Sequence, residues 1–181
     1  STRLTDMSAL SELRQLQNLY LGSNHLTDVC PLVKLTQLRI LNLNHNQLTD
    51  VGPLEGLIKL KTLILSGKNQ LTDVSPLAGL TQLKKLYLSY NRLTDVSALA
   101  KLTQLKTLYL SFNQLTDISP LAMLAQLEAL YLNGNQITDV DTLVGLAQLK
   151  TLILSDNKLT NVSSLAKLKQ LKYLHLGSNK K

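Results

Sequence analysis

The sequence predicts an α/β repeat solenoid, with one short parallel strand and one short helical turn per repeat, and three observations predict it. Asparagine recurs at Asn24, Asn46, Asn69, Asn91, Asn113, Asn135, Asn157 and Asn179, in steps of 22, 23, 22, 22, 22, 22 and 22 residues. Self-similarity at a fixed period of this length is the signature of stacked repeats. Around each asparagine lies one aliphatic frame, L-x-x-L-x-L-x-x-N-x-[L/I]. One repeat reads Leu105, Leu108, Leu110, Asn113, Leu115, Ile118, Leu121 and Leu124. Finally, 44% of the 181 residues are apolar but only 4% are aromatic, and tryptophan is absent. The interior must therefore be aliphatic, thin and regular.

The elements follow in order along one frame. The L-x-L alternation, as in Leu108-Tyr109-Leu110, has period two and predicts a short strand with one buried face. The asparagine comes where the chain leaves the strand, and its amide carries both donors and an acceptor. Thr-Asp follows, with Asp28, Asp50, Asp73, Asp95, Asp117 and Asp139, and Asn161 in the seventh repeat. These are expected as N-caps of the next turn. Pro31, Pro53, Pro76 and Pro120 lie three residues later, in a first turn that tolerates a missing N–H. The helical piece is too short for a full α-helix, so mostly 3₁₀ turns are expected on the convex side.

A single domain over 1–181 is expected. It comprises a partial repeat at 1–15, full repeats at 16–37, 38–59, 60–82, 83–104, 105–126, 127–148 and 149–170, and a partial repeat at 171–181. The third full repeat holds one extra residue near Gly67-Lys68, expected as a bulge after its strand. One repeat buries too little to offset its backbone entropy, so stability must be a nearest-neighbour property. Neither end carries an evident cap. The expectation is a fragment of a longer protein, or a consensus-like design, with Lys167, Lys169, Lys172, Lys180 and Lys181 blunting the open end.

The frame resembles the leucine-rich-repeat family in its 22-residue class. Leu71-Thr72-Asp73-Val74-Ser75-Pro76-Leu77 is similar to the repeats of the bacterial internalins, and a similar repeat occurs in the regulatory subunit of a protein phosphatase. The resemblance covers essentially the whole chain. It implies a horseshoe with a concave parallel sheet, an asparagine ladder inside it, and a scaffold that binds other proteins. It also implies a bacterial surface or secreted location for an internalin-like protein, and a cytoplasmic one for a regulatory subunit.

The formal charge of +7 raises nucleic acid and acidic surfaces as partners. The basic residues are nevertheless spread along the chain without a run, which favours a solvated surface over a nucleic-acid site. Cys30 stands alone, so no internal disulfide forms, and it fills a slot held elsewhere by Ser75, Ser97, Ser119 and Ser163. No apolar stretch is long enough to span a membrane, and Ser1-Thr2-Arg3 does not read as a secretory signal. No phosphate loop, metalloprotease motif or nucleophile elbow occurs, so neither an enzyme nor a cofactor is expected. His25 and His45 lie near one rim, but two histidines without a third ligand do not make a metal site.

With the leucines of L-x-L turned inward, the residue between them faces outward. That position reads Tyr20, Asn42, Ile64, Tyr87, Tyr109, Tyr131, Ile153 and His175. Tyr90 and Phe112 precede their asparagines, and Tyr173 lies ahead of His175 in the last strand. All seven aromatics are thus expected on the concave face or its rim. The candidate partner-binding residues are Tyr20, Tyr87, Tyr90, Tyr109, Phe112, Tyr131, Ile64 and Ile153, since large rigid aromatics concentrate where interfaces bury their centre. A basic row is expected along one flank from Arg39, Lys61, Lys84, Lys106, Lys150 and Lys172, with Gln17 and Glu128 as exceptions. The sequence therefore favours a module that binds a partner protein on its concave face. A regulatory or scaffolding segment of a larger intracellular protein, and a designed scaffold without a natural ligand, are the alternatives. A monomer is expected, with end-to-end association through uncapped ends as the other outcome.

Overall fold

The computed structural model describes residues 4–179 and arranges them as eight parallel strands in one open sheet, ordered as in the sequence. The strands are β1 (Asn18–Tyr20), β2 (Ile40–Asn42), β3 (Thr62–Ile64), β4 (Lys85–Tyr87), β5 (Thr107–Tyr109), β6 (Ala129–Tyr131), β7 (Thr151–Ile153) and β8 (Tyr173–His175). Adjacent strands pair in the register of the sequence frame: Leu86 lies opposite Leu108, and Leu108 opposite Leu130. The ladder continues past the strands. The Leu110 N–H donates to the Tyr131 carbonyl at 2.8 Å and the Phe112 N–H to the Asn133 carbonyl at 2.7 Å. Residues 1–3, Lys180 and Lys181 lie outside the described region, and with them the outermost parts of the two expected partial repeats and of the terminal lysine run.

Each strand is preceded by a 3₁₀ turn, from Ser8–Glu12 and Cys30–Leu32 through Ser119–Met123 to Ser163–Lys167. The prolines stand in the first turn of their segments, as the fixed φ and absent N–H allow. The aspartates require a correction. The cap position itself is held by Val29, Val51, Val74, Val96 or Ile118, none of which makes a side-chain cap bond. Asp sits one residue earlier and closes an Asx turn: Asp28 Oδ1 accepts from the Cys30 N–H at 2.8 Å, Asp73 Oδ1 from Ser75 at 2.7 Å, and Asp117 Oδ1 from Ser119 at 2.8 Å. The valine or isoleucine displaces Asp from the cap because its own side chain belongs in the core, where Val96 is only 1% exposed. The orphan N–H is satisfied all the same.

The core is one continuous aliphatic column. In the repeat beginning at Leu105, all seven frame positions (Leu105, Leu108, Leu110, Leu115, Ile118, Leu121 and Leu124) are buried. Asparagine stitches successive turns together. Asn113 Nδ2 donates to the Leu88 and Leu110 carbonyls, each at 3.0 Å, and its Oδ1 accepts from the Leu93 N–H at 3.0 Å. The same three kinds of bond recur at Asn46, Asn69, Asn91, Asn135, Asn157 and Asn179. Asn24 does the same with fewer neighbours, accepting from Leu4 at 2.9 Å. Each side chain thereby replaces water for backbone groups that the irregular loop cannot pair itself.

The extra residue of the 60–82 repeat appears as a bulge. Elsewhere one residue before the asparagine has positive φ, whereas here Gly67 (71°) and Lys68 (53°) both do. Asn69 then reaches back four residues to the Leu65 carbonyl instead of three. No helix among the described residues is long and apolar enough to cross a membrane.

Candidate partner-binding face

The register that buries the leucines lifts their neighbours onto one sheet face, and the central column there is aromatic in its middle. Tyr87 pairs with Tyr109 and Tyr109 with Tyr131 in the strand register. Their rings stack at centroid distances of 4.6 and 4.0 Å, with interplanar angles of 12° and 5°. The first separation is close to the roughly 4.8 Å between parallel strands and the second is shorter, so the rings lean together over their paired strands. All three tyrosines are half-buried. Burial, and then the Tyr131 hydroxyl beside it, pushes the Tyr109 phenol above the ordinary tyrosine range.

A second stack runs beside the first. Tyr90 and Phe112 lie at 4.5 Å and 16°, at the residue before the asparagine. Both have positive φ, 60° and 54°, a conformation that costs a residue with a β-carbon about 1–2 kcal/mol. The Phe112 ring continues over Gly134, where an added β-carbon would meet it at 2.5 Å. Glycine at that rung is thus what lets the ring lie flat on the backbone. His45 covers Gly67 in the same way.

The remaining sequence-derived candidates fall along these columns. Tyr20 stands on β1 and is 64% exposed, three rungs from Tyr87 and outside the stack. Ile64 and Ile153 flank the tyrosines on β3 and β7. Tyr173 is exposed on β8 beside Thr151 rather than in the central column. No aromatic residue belongs to the buried core.

The basic residues Arg39, Lys61, Lys84, Lys106, Lys150 and Lys172 occupy equivalent rungs just before each strand. The Lys61 N–H donates to the Arg39 carbonyl at 2.8 Å, and the Lys106 N–H to that of Lys84 at 2.9 Å. Glu128 interrupts the row and bridges Lys106 at 3.2 Å and Lys150 at 2.7 Å. Hydrogen bonds from Lys150 and Lys106 hold its carboxyl below the usual glutamate range. Sequence reasoning passed over two neighbours of the site. Lys85 faces outward on β4 two residues before Tyr87, and Lys59 approaches the row from the preceding turn, donating to Gln37 Oε1 at 2.7 Å. The signal for Lys85 was available, since β4 alternates outward Lys85, inward Leu86 and outward Tyr87.

Around His25 and His45, as elsewhere among the described residues, no group of three or more potential metal ligands lies together. Cys30 is exposed, and the carboxylate of Asp28 against its thiol raises the thiol's pKa, the opposite of what a reactive thiolate needs.

Comparison with known proteins defines the class. Family models for leucine-rich repeats match residues 36–79, 81–123, 103–145 and 125–180. The chain belongs to the leucine-rich-repeat family, and its solved relatives place it among the internalin-like members. One is internalin C2 of Listeria monocytogenes, 39% identical with a TM-score of 0.93 over 97% of this chain and 77% of that one. Another is the Listeria internalin InlF, 37% identical with a TM-score of 0.92, of which this chain spans about half (51%) while 95% of this chain is covered. These neighbours suggest a bacterial origin. A more distant structure, PEPR1–AtPEP1, is 27% identical with a TM-score of 0.78, covering 97% of this chain and 26% of that one. No curated protein matches the chain significantly. The leucine-rich-repeat fold is generally a protein–protein interaction module, and nothing in this face points to catalysis.

Proposed function

We propose that the chain is a protein-recognition module that seats its partner on the concave sheet face. Tyr87, Tyr109 and Tyr131 form the centre, Tyr90 and Phe112 the adjoining row, and Tyr20, Ile64 and Ile153 the extensions. The observation that carries this reading is the pair of stacked aromatic rows built entirely outside the core. The leucine column packs without them, and Tyr90 and Phe112 occupy a positive-φ position that glycine fills at lower cost at Gly134. Interfaces draw much of their energy from such rigid aromatic anchors.

The test is comparative capture from bacterial and host-cell lysates. The baits are the native chain and a Tyr87→Ala/Tyr109→Ala/Tyr131→Ala variant shown by circular dichroism to be folded. A protein retained by the native bait and lost from the variant is the expected result. Equal retention by both would remove the aromatic face from the binding site.

A further inference from the structure

Five cations gather beside the aromatic face: Arg39, Lys59, Lys61, Lys84 and Lys85, all exposed. Backbone bonds hold three on successive rungs, Lys61 to the Arg39 carbonyl at 2.8 Å and Lys84 to the Lys61 carbonyl at 2.9 Å. Arg39, Lys59 and Lys61 line, with Gln82, a depression of about 240 Å³. Among the described residues no carboxylate forms an ion pair with any of the five; the pairs present are Arg14–Glu12, Lys106–Glu128 and Lys150–Glu128. The basic row is therefore divided. In its later half Glu128 bridges Lys106 and Lys150, and its earlier half is left uncompensated. Lys85 joins that earlier half to the tyrosines, standing two residues before Tyr87 on the same sheet face.

We propose that this flank docks an acidic segment of the partner protein whose apolar surface covers the tyrosines. The proposal rests on the concave-face reading for the partner being a protein. Cations held on rungs about 4.8 Å apart repel one another, and a run of Asp or Glu side chains relieves that repulsion. Arg39 offers a planar fork for a carboxylate, and the lysines offer mobile point charges. Charge set beside an aromatic centre also steers encounter and fixes orientation. A nucleic acid fits the same flank less well. The uncompensated rungs span only about 10 Å, and the tyrosine rings, stacked at 4.6 and 4.0 Å, leave no slot between them for a base. Single-strand binders instead present open ring faces.

The experiment is fluorescence anisotropy at low salt with three labelled probes: a glutamate-rich peptide lacking aromatic residues, its glutamine counterpart, and an oligothymidylate of similar length. The proteins are the native chain, Arg39→Gln/Lys61→Gln/Lys84→Gln and Lys106→Gln/Lys150→Gln, each checked for native circular dichroism. Native protein is expected to prefer the glutamate peptide to the glutamine one. The first variant is expected to lose about tenfold, as three exposed charge contacts predict, and the second much less. No preference for glutamate, equal losses in the two variants, or tighter binding of the oligothymidylate would each overturn the proposal, the last by reassigning the flank to nucleic acid. A control substituted away from the sheet face, Val33→Ser/Ile58→Ser/Met123→Ser, is expected to bind the peptide as the native chain does. Failure of the flank thus shows with the peptide, and failure of the aromatic face in lysate capture.

Discussion

Leu108 and Tyr109 are adjacent in sequence and opposite in role, because a strand alternates its faces. Leu108 is fully buried and Tyr109 half-exposed between two other rings. Leu108→Ala is expected to cost about 2–5 kcal/mol, since it opens a cavity in a packed aliphatic column. Tyr109→Ala loses mainly stacking and is expected to cost about 1 kcal/mol. Urea denaturation of the two variants checks the inside-outside assignment, and equal costs would contradict it. Asn113 carries a different load. Replacing it by Ala strands the Leu93 N–H away from water, while the Leu88 and Leu110 carbonyls keep the amides of Asn91 and Asn135, for an expected loss of about 1–3 kcal/mol. The aspartates of the Asx turns give a pH signature. The Ser75 and Ser119 N–H groups and hydroxyls hold the Asp73 and Asp117 carboxyls below the ordinary aspartate range, and at Asp95 the Ser97 hydroxyl leads. A depressed pKa contributes stability that is fully present above the unfolded value, near 3.8, and is lost as pH falls through the lower folded value. The melting temperature is therefore expected to fall as pH drops below about 4, and to fall less steeply in Asp73→Asn/Asp95→Asn/Asp117→Asn. An unchanged slope in that variant would remove these carboxylates from the account.

Each element is one rung, and what was legible in the sequence differs along it. The strand and the core side of each rung follow from leucine spacing alone, because period-two burial and aliphatic size leave one arrangement. The turns were legible as 3₁₀ segments from their length and their prolines. The position of Asp was not, because capping preference and core demand compete for neighbouring residues, and Val96 or Ile118 wins the cap by burial. The positive φ before the asparagine was also hidden at Tyr90 and Phe112, since neither residue type signals it; the Gly at 134 and the Ser at 23 do so only once the column is aligned. That geometry makes a prediction. Phe112→Gly relieves backbone strain while losing a stack, and the two are of similar size, so stability should change by less than about 1 kcal/mol. A loss comparable to that of Leu108→Ala would mean Phe112 serves the core. Similarly, deleting Lys68 leaves Gly67 alone before Asn69, as Gly134 stands before Asn135. The deletion variant should fold with a native-like circular dichroism spectrum.

As a whole the molecule is a quasi-one-dimensional stack, and its rungs hold one another. Leu174, at the last strand, is 44% exposed, whereas Leu108 in the equivalent central position is fully buried. Hydrogen exchange is expected to be slowest in β4–β6 and faster toward β1 and β8, in the graded manner of repeat arrays. The same centre carries the aromatic rows, so the proposed binding face sits on the most rigid part of the sheet, where ordering on binding costs least. The measurement that tests the central claim most directly is calorimetric titration of a captured partner against three proteins: the native chain, Tyr87→Ala/Tyr109→Ala/Tyr131→Ala, and a control with exposed apolar residues replaced away from the sheet face, Val33→Ser/Ile58→Ser/Met123→Ser. A weakening of about 30-fold or more in the tyrosine variant, the scale of one interface hot spot, with the control unchanged, is the predicted result. Undiminished affinity in the tyrosine variant, or a loss confined to the control, would contradict it and place the partner on the other side of the solenoid.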